Sequence, residues 1–465
     1  MDCPFAAVAV PTALALAVAA GLGRTAQAQE ATAIADAEAA CPAFLGFGAE
    51  WDSADYPHYG ITDADFEVFA ARIRWMRTPI VRVMMLAKWC YRADGSFDWD
   101  NEQMRVLFRN LDLCQELGTT VLLTDWGCER NWVSIPGVEN TADPAYARVI
   151  GAYLDYLVNE RGYSCIKYLI LVNEPNYEVG DFARWKAGIE NVAAELERRG
   201  LDGQITLAGS DESNAPNWHQ RAVDELHHVF GAYDVHCYAN DSMVRPGGLE
   251  SFYKEHWDYA LAHDPAAATK PFLVGEAGMN DGAKHPAINT NIDSFYYGLF
   301  MADYAVQAVR AGSAAVCAWM MDDNGHRGFT WGLWDNKANG LRLRSWFYPW
   351  ALLSRYVPRG ATTYRIPSPS PDCRGFAAAV PSSSPTGAGW TICLVNRGDA
   401  PAQAALQVPG GGPAHVKHYL YAPDNAPAGP EGFPVPHAGG EIEPGQPIAL
   451  SCPAGAVLLV TNLPG

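Results

Sequence analysis

Two glutamates in this chain stand where a carboxylate can be aimed at a ligand. Glu174 follows the apolar run 168–172 and sits inside Asn173-Glu174-Pro175. Proline removes an amide donor and disfavours helix in the residue before it, so a strand must end there with Glu174 on its rim. Glu276 closes a second short apolar run, within Gly275-Glu276-Ala277-Gly278. The two are 102 residues apart, about three strand–helix units of ~30–35 residues each. Two carboxyl groups facing one sugar can cleave a glycosidic bond. One protonates the leaving oxygen, and the other attacks the anomeric carbon or activates water.

Several other residues fit round such a pair. Asn173 is a neutral donor suited to a sugar hydroxyl beside the reacting carbon. Gly275 and Gly278 leave the backbone room for a ligand to approach Glu276. Arg82 lies inside an apolar run and cannot shed its charge. Beside Glu276 it would keep that group ionised as a nucleophile, with Glu174 as the acid; the other reading of Arg82 is a buried structural ion pair. His236 and Tyr238 share one face of a strand by the period of two and can hydrogen-bond either glutamate, although a core histidine is an alternative for His236. Trp319 offers a flat floor for a sugar ring or else a plug for the fold. Glu50, Trp51 and Trp126 lie at strand ends, where aromatics stack on sugar faces and carboxylates grip hydroxyls; packing roles are equally open to each. Asp52, Asp125, Trp132, Trp331 and Trp334 share that position.

These residues need a frame that brings distant segments to one rim. Short apolar runs at 44–52, 78–85, 119–127, 168–172, 204–211, 233–241, 271–276 and 314–323 alternate with helical stretches, among them 63–75, 101–117, 144–161, 182–199, 218–230, 249–263 and 292–311. Gly118 is a helix stop. Eight strands alternating with helices predict a parallel (β/α)8 barrel, with chemistry at the carboxyl ends of its strands. Glu174 then falls on strand four and Glu276 on strand seven. No GxGxxG or GxxxxGK[ST] supports an open nucleotide-binding sheet. Beyond residue 355 the texture changes to short alternating runs separated by Pro, Gly and Ser, which predicts a small antiparallel β-sandwich over 356–465. Residues 29–44 are free to lend that sandwich a strand, and the barrel occupies the remainder of 29–355.

Taken together, NEP at the end of strand four, Glu in G-E-A-G at the end of strand seven, H-x-Y on strand six and Trp on strand eight resemble the retaining glycoside hydrolases of clan A. The barrel-plus-sandwich layout is most similar to families 39 and 30 of that clan, with family 5 more distant. The resemblance implies double displacement on a β-linked poly- or oligosaccharide, with Glu174 as acid/base and Glu276 as nucleophile. It places Asn173, Arg82, His236, Tyr238 and Trp319 in the subsite where the bond is cut. No metal or organic cofactor is implied. The rival from another class is a carbohydrate-binding barrel without activity, which would not require the full set of carboxylates, Asn173 and Arg82. A metal-dependent barrel hydrolase would need an HxH on strand one or acidic ligands on adjacent strands, and neither is visible.

Composition bounds the rest. The chain has 465 residues, 49% of them hydrophobic, and a net charge of −19. That balance argues against nucleic acid or anionic membrane as the natural partner. The acidity belongs to the barrel, because 356–465 carries five Lys/Arg against six Asp/Glu. Residues 6–22 form an apolar run followed by Ala26-Gln27-Ala28, a small-x-small cleavage pattern. An export signal over 1–28 and a secreted monomer, free of membrane after cleavage, are therefore expected. Export permits disulfides, for instance Cys90 with Cys128, or two of Cys373, Cys393 and Cys452. No CxxC or Cys/His spacing suggests zinc.

Overall fold

The computed structural model describes residues 32–34, 37–284, 287–408, 414–443 and 446–465. The expected signal segment, 1–28, lies outside the described residues. Among the described residues, no helix is long and apolar enough to cross a membrane.

Eight parallel strands close into a barrel. They are β1 (Gly46–Glu50), β2 (Ile80–Met85), β3 (Thr120–Asp125), β4 (Ile166–Ile170), β5 (Thr206–Ser213), β6 (Ala232–Ala239), β7 (Phe272–Met279) and β8 (Ala315–Ala318). β8 pairs with β1 in parallel, Ala315 opposite Gly46 and Ala318 opposite Ala49, which completes the ring. β1, β2, β3 and β7 are buried along their whole length, as expected of strands packed on both faces. The helices carry the stop and start signals their sequences promise. Thr62 and Asp65 form a capping box at the start of Asp63–Met76, and Gly118 ends Glu102–Leu117 in the left-handed conformation. Each cap satisfies backbone groups that the helix cannot pair itself.

Several boundaries differ from the sequence reading: β4, expected over 168–172, runs Ile166–Ile170, and two others have a clear physical cause. Strand eight stops at Ala318 because the chain then bends over the barrel mouth, with Trp319 N–H donating to the Ala277 carbonyl and Met321 N–H to that of Glu50. The helix expected over 218–230 is Pro216–Leu226, started two residues earlier by a proline at its first turn.

The second unit is a sandwich of a seven-stranded and a three-stranded sheet. The strand Glu38–Phe44 joins the larger sheet against Ala361–Arg365, and Thr32–Ala33 joins the smaller one. Helix Phe295–Arg310 is buried along most of its length, packing on the barrel strand β7 and on sandwich strands Cys373–Val380 and Gly389–Asn396. Arg374 and Arg397 reach from the sandwich to the buried Asp303 of that helix. A buried carboxylate with two guanidinium partners ties the units firmly, since removing either side leaves an uncompensated charge.

The suggested disulfides are not formed. All ten described cysteines are free thiols. Cys90 donates to the Ala87 carbonyl and Cys128 faces the Thr141 hydroxyl, so each sulfur is turned towards its own neighbour. Cys373 and Cys452 lie thiol to thiol in the sandwich core, and Cys393 is buried without joining them in a bond.

Candidate active site

The carboxyl ends of β2 and β4 to β7 deliver one connected cluster. After β4 the chain turns sharply, and Glu174 has φ 42 and ψ 60, a left-handed conformation rare for a residue with a side chain. Pro175 opens a single helical turn immediately behind it. The conformation is held by its surroundings. Glu174 N–H donates to Asp211 Oδ2 at 3.1 Å, and its carbonyl accepts from Tyr177 and Glu178. Asp211, at the end of β5, is itself left-handed with φ 56. Two such residues facing each other cost on the order of 1–3 kcal/mol apiece and persist where neighbouring bonds over-determine them.

Arg82 is the hub. Its Nη1 pairs with Glu276 Oε1, and its Nη2 bonds Asp211 Oδ2 at 3.0 Å and Asn173 Oδ1 at 2.9 Å. The side chain is wholly buried. Flanking carboxylates outweigh its burial and hold its pKa above the ordinary arginine range. Asn173, with its oxygen committed to Arg82, keeps its amide hydrogens for a ligand. Tyr238 donates to Glu276 Oε2 at 2.7 Å. His236 places Nε2 2.9 Å from Asp211 Oδ1 and Nδ1 3.2 Å from Glu174 Oε1. With a carboxylate at each ring nitrogen, chiefly Asp211 and then Glu276, its pKa rises well above normal in spite of burial. Each ring nitrogen thus faces a carboxylate oxygen to which it can donate.

These contacts bring the two glutamates together. An oxygen of Glu174, an oxygen of Glu276 and a nitrogen of His236 all lie within 4.8 Å of one another. Burial pushes Glu276 up, while His236, Arg82 and the Tyr238 hydroxyl pull it back. Arg82 therefore moderates the cost of burying Glu276 without cancelling it. Glu174 is the more open of the pair, with 22% of its side chain accessible.

Asp211 was not singled out from sequence, and it is the residue on which the cluster converges. Arg82 and His236 hold its pKa down to about 2 against the effect of burial. Asp234 neighbours it, its carboxyl pushed up by burial and by the Asp211 charge. The glycines beside Glu276 have a different task from the one expected. A Cβ on Gly275 would stand 2.3 Å from Asp234 Oδ2, and one on Gly278 2.7 Å from the Tyr238 ring. They make room for side chains of the cluster rather than for a ligand.

The remaining strand-end residues divide. Trp319 follows β8 with its ring stacked on His326, the centroids 5.3 Å apart, and joins Met84, Met320 and Trp331 in a small apolar cluster against Tyr238. Trp126 packs edge-on to Trp132, and Trp132 is 49% exposed. Trp51 is fully buried; it donates to the Tyr56 hydroxyl and stacks on Phe66, so it presents no face to a sugar. Asp125 accepts from Ala87, Gly127 and Tyr146 and serves the backbone there. Glu50 is also fully buried, at the end of β1. Burial, and then the charges of Asp52 and Glu276, push its carboxyl well above the ordinary range.

No described protein family and no curated protein matches the sequence. Solved structures do match, among them glycoside hydrolases of families 30 and 39. A GH30 endoxylanase from Clostridium papyrosolvens C71 aligns over 92% of this chain and 98% of its own, with a TM-score of 0.64 and 13% identity. A GH39 enzyme from Xanthomonas axonopodis pv. citri aligns over 96% and 100%, with a TM-score of 0.61 and 13% identity. An α-L-arabinofuranosidase from Thermotoga maritima aligns over 91% and 98%, at 0.61 and 15%. At these identities the likeness is one of fold: a (β/α)8 barrel carrying a β-sandwich, shared along nearly the whole chain.

Proposed function

We propose that this chain is a retaining glycoside hydrolase that cleaves a β-linked poly- or oligosaccharide. One observation carries the reading: carboxylate oxygens of Glu174 and Glu276 lie within 4.8 Å of each other at the barrel mouth. Retaining enzymes hold their two carboxyl groups ~5–5.5 Å apart, whereas an inverting pair stands ~6.5–9.5 Å apart to admit a water. The contacts and exposure of the two groups support a division of roles. Glu276, paired with Arg82 and accepting from Tyr238, has the fixed orientation that a nucleophile needs. Glu174, more open and touched on one oxygen by His236, is the group able to meet a leaving oxygen.

In the first step Glu276 attacks the anomeric carbon while Glu174 gives its proton to the departing oxygen. In the second, Glu174 takes a proton from water, and the water releases the sugar from Glu276. Asn173, held by Arg82, donates to a hydroxyl of the reacting sugar, and Trp319 with Trp126 walls the cleft. A mature secreted monomer beginning near residue 29 completes the proposal; amino-terminal sequencing and light scattering of the exported protein check it.

A panel of aryl glycosides and polysaccharides tests the activity itself. Hydrolysis of at least one member, lost in Glu276→Gln, is expected. Glu174→Ala should slow substrates with poor leaving groups by ~10²–10⁴-fold and largely spare dinitrophenyl glycosides, which depart without protonation. Binding to glycans without turnover on any of them would favour the non-catalytic carbohydrate-binding barrel instead.

A further inference from the structure

Beside the cluster just described lies a second group of ligating side chains that the proposed reaction does not use. Glu50 ends β1, Asp52 follows two residues on, and His326 comes from the loop after β8. One donor atom from each lies within 4.8 Å of the others. That is the spread of atoms bound to one ion at ~2.0–2.6 Å. Proximity alone is weak, since Glu174–His236–Glu276 and Asp211–Asp234–His236 are as compact. In those two groups, however, both ring nitrogens of His236 are already taken, by Asp211 and Glu174, so although the buried Asp234 also has no hydrogen-bond partner on either oxygen, no imidazole nitrogen is left for an ion.

Glu50 is wholly buried, and neither of its oxygens has a hydrogen-bond partner. A buried carboxylate without donors is expensive, and such groups are normally paired or coordinate a metal. Asp52 is bound through Oδ1 to the Ala54 amide, which leaves Oδ2 facing His326 Nε2 at 3.3 Å. That nitrogen is off the line of a hydrogen bond and has no other partner. The imidazole is held in a slot between Trp319 and Phe329, so its direction is fixed by packing.

We propose that Glu50, Asp52 and His326 form a divalent-cation site of the zinc–manganese class. An imidazole nitrogen with two carboxylates is the donor set of such ions; calcium and magnesium favour all-oxygen shells. The ion neutralises the pair at the end of β1 and pins the loop after β8 against it. Its role is structural, and it stands whether or not the chain hydrolyses glycosides.

Calorimetric titration of the chelator-treated full chain with ZnCl2 and MnCl2 tests this, with thermal unfolding alongside. One equivalent should bind with a dissociation constant of ~10 μM or tighter, an affinity at which ~1 mM ion adds about 2.7 kcal/mol, and the unfolding temperature should rise. Glu50→Gln and His326→Ala should each weaken binding at least tenfold and remove the thermal shift. His326 is partly exposed, so its variant keeps the test valid if Glu50→Gln fails to fold. No saturable binding up to 1 mM of either ion, binding indifferent to both substitutions, or equal affinity for CaCl2 would each overturn the assignment.

Discussion

At the ends of β2 and β4 to β7, the carboxylates of Glu276, Asp211 and Glu174 share Arg82 and His236. At the end of β1, next to them, Glu50 has no hydrogen-bond partner, and Asp52 has the Ala54 amide and the edge of His326. Residue types and burial are alike, but the balance is not. In the first nest donors and cations are supplied by the chain itself, so its geometry is set before any ligand arrives. In the second the chain supplies acceptors and leaves the donor to come from outside. The contrast separates preorganisation, which a catalytic pair needs, from an incomplete site that an added group must finish.

Replacing Arg82 should break the balanced nest hardest. Arg82→Met leaves Glu276 and Asp211 buried without their common cation. The loss should be about 3–5 kcal/mol, the cost of breaking a buried pair from one side, read as a lower urea midpoint. A loss under about 1 kcal/mol would mean that the nest does not depend on its cation.

Asp211→Asn should have a smaller and pH-dependent effect. The Asp211 carboxyl is held down to about 2 in the folded chain, against ~3.9 when unfolded. A depressed acid contributes stability that is fully present above the unfolded value and is lost as pH falls through the folded one. The wild type should therefore lose stability between about pH 4 and pH 2, and Asp211→Asn should flatten that part of the unfolding curve. An unchanged acid limb would contradict the pairing with Arg82 and His236.

Glu50→Gln should be the mildest change, and it sharpens the contrast. In chelator the variant should fold within about 1 kcal/mol of wild type or be slightly more stable, because it replaces a buried carboxyl group that has no hydrogen-bond partner. A destabilisation comparable to that of Arg82→Met would show that Glu50 is already satisfied within the chain.

The sequence was most readable where one physical signal dominates. Buried parallel strands are near-continuous apolar runs, so eight of them with helices between could be counted. The halt at Asn173-Glu174-Pro175 was visible because proline constrains its predecessor. Asp211 was hidden: its importance comes from a left-handed backbone that turns its carboxylate towards Arg82, and a strand pattern carries no trace of that. Trp51 shows the reverse limit, since a rim position in sequence does not tell which side chains the following loop will cover. His326 could not be linked to Glu50 and Asp52 because no short spacing joins segments more than 270 residues apart. Gly275 and Gly278 marked close approach correctly, but the approaching atoms belong to Asp234 and Tyr238.

The central claim is that Glu276 forms a bond to the sugar while Glu174 serves it. An activated 2-deoxy-2-fluoro glycoside of whichever sugar the hydrolysis panel identifies should accumulate as a covalent adduct, followed by intact mass and peptide mapping. The account predicts one sugar equivalent per chain, esterified to Glu276 and absent in Glu276→Gln. An adduct on any other residue, or labelling that persists in that variant, would contradict it.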